Sequence, residues 1–213
     1  MQGRSARNEE GGMRGKGQGL GPAACLLVAV FLAAGGALAG QSTASDKEQA
    51  DDAASFKEFT NRVQEYAKLH RTVESNLPSL KSKEELPEVI AAHQQALARK
   101  IREARPHARP GDIFTRGTRE AFRHAVRSVF QGPQAANARA TMKQGVPLKE
   151  IHLRVNQVYP DVDPYTTVPP SLLLKLPKLP DEVAYGVVGR DLVLLDVKAD
   201  MVVDLIPEIL PED

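Results

Sequence analysis

The sequence predicts an α+β fold: an N-terminal helical hairpin with one or two further helices, then a small antiparallel β-meander at the C-terminal end. Two observations carry this expectation. Between Ser55 and Gln144 apolar residues recur every three or four positions, the period of helices that pack by one face. Beyond Gly145 the period drops to two and the composition turns to Val, Leu and Pro, as in short half-buried strands. Helices first and strands last is the order of an α+β protein.

The first 39 residues read as a signal peptide. Arg4, Arg7, Arg14 and Lys16 form a basic start, Leu26 to Ala34 an apolar run, and Ala37-Leu38-Ala39 a small-residue cleavage site before Gly40. Met13 is an alternative start that would give a leader of more usual length. An uncut membrane anchor is the rival reading, since Leu20 to Ala39 is about as long as a marginal span; its Gly and Ala content opposes this. A lipoprotein leader is rejected because Cys25 opens the apolar run instead of following it. Residues 40–54 are polar and small and read as a disordered linker. Residues 55–213 then form a single α+β domain, helical over about 55–145 and β over about 146–213.

Each element has its own signal. Phe56, Phe59, Val63, Tyr66, His70, Val73 and Leu77 make the stripe of a first helix, ended by Pro78. Ser82 and Glu85 form a capping box, with Pro87 in the first turn of a second helix. The stripe of that helix is Val89, Ile90, His93, Leu97, Ile101 and Ala104, and Pro106 stops it. The short connection makes the two an antiparallel hairpin. A third helix is expected from about Thr118 to Gln131, before Gly132-Pro133, and a short fourth over Ala135–Gln144. Ile151, Leu153 and Val155 alternate as a half-buried strand. A helical turn is expected from Pro169-Pro170 to Leu174. Three short strands close the chain at Tyr185–Val188, Leu192–Val197 and Met201–Leu205, with turns at Gly189-Arg190 and Lys198-Ala199-Asp200.

Composition excludes several chemistries. Cleavage before Gly40 would take the single Cys with it, leaving no disulfide, thiol catalysis or thiolate metal site. It would also change the formal net charge from +1 to about −1, which suggests no nucleic-acid partner. No cofactor motif is present: there is no Gly-x-Ser-x-Gly elbow, and Gly186-Val187-Val188-Gly189 lacks the Lys and helix of a phosphate loop.

Three groups of residues remain as candidates. His70 and His93 lie on the apolar stripes of adjacent helices and would face each other across the hairpin. A metal there would need a third ligand that no spacing supplies, so buried, hydrogen-bonded histidines are the plainer reading and no metal is expected. Either histidine with Asp112 is the weak catalytic candidate. Arg116, Arg119, Arg123 and Arg127 follow one helix face and are the candidate anion-binding surface. The competing explanation is pairing with the acidic stretch from Asp181 to Asp213. Asp112, Glu120, Asp191, Asp196, Asp200 and Asp204 are read as solvated charge or turn formers.

The stretches Ala92-His93-Gln94-Gln95-Ala96-Leu97-Ala98, Gly111-Asp112-Ile113-Phe114-Thr115 and Val188-Gly189-Arg190-Asp191-Leu192-Val193-Leu194 resemble a group of uncharacterised exported bacterial proteins. The resemblance covers about Phe56 to Leu210 and implies a bacterial origin and an exported, periplasmic or secreted location. It implies no activity. The expected function is a non-catalytic binding or interaction module. Its partner, an anionic envelope component or a protein, would meet the Arg face or the edge of the terminal sheet. A cell-envelope enzyme built on a His/carboxylate pair is the alternative, and the membrane is expected to matter only to the uncleaved leader.

Overall fold

The computed structural model describes residues 38–80, 86–143, 152–160 and 166–211, with side chains from residue 44 onward. Most of the expected leader, the Ser82/Glu85 box, Gly145 and Ile151 lie outside the described residues. Five helices and three strands follow one another: α1 (Leu38–Ser75), α2 (Pro87–Ala104), α3 (Arg116–Phe130), α4 (Ala135–Lys143), α5 (Pro170–Leu173), β1 (Val183–Val188), β2 (Asp191–Asp196) and β3 (Met201–Ile206). The fold is α+β, with a three-stranded antiparallel sheet at the C-terminal end.

Helix α1 takes in residues 40–54, which the sequence presents as a disordered linker. Between Gln41 and Ala54 no Gly or Pro interrupts a run of Ala, Glu, Gln, Lys and Asp, so the helix propagates outward from its packed part. His124 of α3 also holds this extension, with Nδ1 2.9 Å from Asp52 Oδ1 and 3.3 Å from Glu48 Oε1. Further along α1 the expected stripe is buried at Phe59, Val63, Tyr66 and His70.

Pro87 starts α2, where its missing N–H leaves no bond unmade. The end of α1 lies against the first half of α2, and the Arg105 guanidinium stands 5.0 Å over the Tyr66 ring. The two helices therefore run antiparallel, as the short connection implied. Leu97, Ala98 and Ile101 enter the core, but Val89 and Ile90 stay 41% and 43% exposed and Ala104 faces solvent.

Thr115 caps α3 by accepting from the Thr118 N–H at 3.4 Å. Phe122 sits at the centre of an aromatic cluster with Phe56, Phe59, Phe114 and Tyr185, ring centroids 5.0–6.0 Å from its own. One cluster thus joins α1, α3, the loop before α3, and β1.

The sheet is buried on both faces. Leu192, Leu194, Met201 and Val203 join the helical core, while Val188, Val193, Leu195, Val202 and Leu205 pack under Tyr159, Leu153 and Val155. The strand expected around Leu153 and Val155 does not form over residues 152–155. Asn156 takes φ +63°, which breaks the extended backbone, and its N–H reaches the Val202 carbonyl at 2.8 Å. This segment acts as a cover on the sheet instead.

Candidate functional site

Four arginines line one cleft where α3 ends. Arg123 and Arg127 stand one turn apart on the exposed side of α3. Arg139 arrives from α4, and Arg190 from the turn that joins β1 to β2. Together they line a cleft of about 340 Å³ whose apolar part is Val126, Phe130, Ile209 and Leu210.

Local structure fixes two of the four. Gly189 at φ +58° lets the chain reverse and present Arg190, whose Nε donates to the Leu210 carbonyl at 3.0 Å. In return the Leu210 N–H donates to the Arg190 carbonyl at 3.1 Å, tying the C-terminal segment to the cleft wall. The Arg139 guanidinium lies 5.8 Å from the Phe130 ring centroid and donates to the Phe130 carbonyl at 3.3 Å. Arg123 shares an exposed pair with Glu120 at 3.1 Å. The Arg127 side chain makes no hydrogen bond or ion pair among the described residues, while its carbonyl accepts from the Gln131 N–H at 3.0 Å. It sits in the last turn of α3, where the helix dipole favours a cation.

The Arg face read from the sequence is therefore divided. Arg116 is exposed at the start of α3 and stays outside the cleft. Arg119 turns to the preceding loop, donating from Nε to the Phe114 carbonyl at 2.8 Å. There its Nη2 occupies the space that a Cβ on Gly111 would need, only 2.6 Å away, and Gly111 has φ +100°. The expected pairing between the Arg stretch and the acidic C-terminal part takes another form. Glu182 pairs with Arg71 at 2.7 Å and Lys198 with Glu74 at 2.6 Å, so these two charges beside the sheet meet α1.

No protein-family model, curated protein or solved structure matches this chain. What chemistry it has rests on its own side chains.

His70, His93 and Asp112 occupy three separate places. Buried His70 holds its Nδ1 2.6 Å from Asp196 Oδ2, and the Tyr66 hydroxyl donates to the same oxygen at 2.6 Å. His70 Nε2 lies 3.4 Å from Glu74 Oε2. Burial alone would lower the His70 pKa, but the hydrogen bond and charge of Asp196, with Glu74, outweigh it and the pKa is raised. Burial, then the Asp196 charge, pushes the Tyr66 hydroxyl far up, so it stays protonated. His93 is half-buried in an apolar groove with Leu77, Leu80 and Val89, far along α2 from any of these groups. Asp112 is an exposed turn residue that accepts from the Arg109 N–H at 2.9 Å. Among the described residues these three share no hydrogen bond, ion pair or cleft, and no three His, Cys, Asp or Glu side chains gather as metal ligands do.

Two carboxylates read as solvated are in fact interior. Asp196 accepts from Tyr66, from His70 and from the Lys198 and Ala199 N–H groups at 3.1 and 2.7 Å. Asp204 is fully buried and accepts from the N–H groups of Gly111, Ile113 and Phe114 at 2.8–2.9 Å. Both are structural clamps.

Sequence reasoning missed Arg139, Arg190 and Glu208 of the cleft. Arg190 alone carried a usable signal, as the residue after a turn glycine. The sheet edge, the other surface expected to meet a partner, is already engaged. Thr166 exchanges hydrogen bonds with Val187 of β1 at 2.8 and 2.9 Å, and residues 156–159 bond to β3.

Proposed function

We propose that this chain is an exported, non-catalytic binding protein whose ligand is anionic and sits in the cleft of Arg123, Arg127, Arg139 and Arg190. The observation that carries the reading is that four arginines, from α3, α4 and the turn between β1 and β2, line one cleft together with Val126, Phe130, Ile209 and Leu210. Arg forks suit oxygens of phosphate and carboxylate groups, and two of these forks are held in place by backbone carbonyls before any ligand arrives. Burial of His70 against Asp196 and the separation of His93 and Asp112 weigh against the rival reading of a His/carboxylate enzyme.

The exported compartment rests on the basic, apolar and small-residue order of residues 1–39 and on the resemblance of the three stretches to exported bacterial proteins. Among the described residues no helix is long and apolar enough to cross a membrane. Cleavage before Gly40 would remove only the first two residues of α1.

Titration calorimetry of the purified protein with inorganic phosphate tests the binding reading. Binding is expected, with a dissociation constant of about 1 mM or tighter, and at least about tenfold weakening in Arg127→Gln and Arg139→Gln. Equal affinity in wild type and both folded variants would place the anion elsewhere and end the proposal. Mass spectrometry of the periplasmic fraction tests the compartment: a mature chain beginning at Gly40 is expected, and a full-length cytosolic form would overturn it.

A further inference from the structure

The segment that forms one wall of the arginine cleft continues into acidic residues. Ile209 and Leu210 are buried. The Arg190 Nε donates to the Leu210 carbonyl at 3.0 Å, and the Leu210 N–H donates to the Arg190 carbonyl at 3.1 Å. Pro211, the last described residue, lines the cleft beside Arg123, Arg127 and Arg139. Glu212 and Asp213 follow it in the sequence and lie outside the described residues. Two residues of backbone span at most about 7 Å, so both carboxylates are leashed to the cleft by an anchored wall. The four arginines are not equally open to them. Arg190 has its Nε engaged, and Arg123 shares an ion pair with Glu120 at 3.1 Å. The Arg127 side chain has no partner among the described residues, and Arg139 meets only the carbonyl and ring of Phe130. Arg127 and Arg139 are thus the cleft's two cations that no described carboxylate answers.

We propose that Glu212 and Asp213 are a built-in competitor for this cleft: with no anion bound, their carboxylates occupy the forks of Arg127 and Arg139, and a ligand must displace them. The inference rests on the anion-binding reading above and adds the regulation of that site. Opposite charge and a short leash favour the contact, since a segment held this close acts at an effective concentration on the order of millimolar. An Arg fork takes carboxylate and phosphate oxygens in the same geometry, so segment and ligand exclude one another. Each contact is an exposed ion pair and weak by itself, which keeps the segment displaceable. A free monocarboxylate gains little over a leashed one, whereas a doubly charged phosphate attracts both forks more strongly. The segment therefore raises the concentration at which the cleft fills and biases it towards dianions.

The test titrates inorganic phosphate into the purified protein and into the double variant Glu212→Gln/Asp213→Asn. The variant is expected to bind phosphate about three- to tenfold more tightly, the worth of two exposed ion pairs. Nuclear magnetic resonance relaxation of the Glu212 and Asp213 amides supplies the second readout. Both should be ordered in the free wild type and become mobile on the nanosecond scale at saturating phosphate. Tighter binding by the variant without that release would mean that the two charges act only through their field, and it overturns the docked segment. Equal or weaker binding by the variant also overturns it and leaves the arginine cleft standing as an anion site. Failure of phosphate to bind either form overturns the cleft and the competitor together.

Discussion

At Asp204 a single buried carboxylate answers the N–H groups of Gly111, Ile113 and Phe114, 90 or more residues earlier in the chain. It is placed on the helix-facing side of β3, and it ties the loop that launches α3 to the sheet. Replacing it by Ala leaves those donors inside without partners, at about 1–3 kcal/mol for each buried group left unsatisfied. Asp204→Ala is therefore expected to lose at least about 3 kcal/mol of stability in urea unfolding, whereas Asp204→Asn, which keeps an acceptor oxygen, loses less. A residue-scale pH effect belongs to His70. Its folded pKa is raised above the ordinary 6.5, so its stabilisation is complete below the unfolded value and is lost as pH rises through the folded one. The groups facing it are Tyr66 and Glu74 on α1, Asp196 on β2 and Lys198 in the following turn. The urea midpoint should fall as pH is raised above about 6.5, and His70→Asn should remove that part of the slope. A slope unchanged in a folded His70→Asn would assign it to another group. Neither clamp was legible in the sequence. An Asp near a strand end looks the same whether it meets water or a loop from the other half of the chain. Only long-range placement separates the two cases.

Elements were more readable than residues wherever period and punctuation agreed. The three terminal strands appear within two residues of their expected ends at each side, because runs rich in Val and Leu were bounded by Gly189-Arg190 and by Lys198-Ala199-Asp200. Helices α2 and α3 stop where Pro106 and Gly132-Pro133 implied they would, while the expected end of α4 at Gln144 lies outside the described residues. Errors arose where the pattern was right and its context unseen. Leu153 and Val155 do point into an apolar layer, but as a cover on the sheet, since Asn156 adopts a left-handed backbone. Val89 and Ile90 continue the stripe of α2 yet stay well exposed, 41% and 43%. For the cleft, the period of α3 placed Arg123 and Arg127 correctly on its outer side, while the arrival of Arg139, Arg190 and Glu208 depends on how α4 and the chain end fold back. Phe122 measures how strongly α3 is bound to the rest. It is fully buried and touches rings from α1, the loop before α3 and β1. Phe122→Ala should cost about 3–5 kcal/mol, read from the urea midpoint, with the surroundings unable to collapse into the space. A loss below about 1 kcal/mol would mean that the aromatic cluster is not the joint between layers.

Across the whole molecule the helices and the sheet share one core. Phe59, Leu97, Phe114 and Phe122 belong to the same buried cluster as Leu192, Leu194, Met201 and Val203, and the clamps at Asp196 and Asp204 cross between the halves. The helical part has no comparable interior of its own, because the buried face of α3 and the stripe of α1 are closed by the sheet and by each other. The polar start of α1 is different. Among its described side chains the ties to α3 are the half-exposed pairs of Glu48 and Asp52 with His124, and surface ion pairs contribute about 0–1 kcal/mol. Two truncations should therefore diverge. A chain beginning at Ser55 is expected to unfold in one cooperative step within about 1 kcal/mol of the chain beginning at Gly40. A chain ending at Leu179 loses all three strands and is expected to keep helical circular dichroism without a cooperative urea transition, because its apolar faces have no opposing layer. A sharp transition in the second truncation would show that the helices form an independent unit, and the sheet would then have to be regarded as an appended layer instead of half of the core.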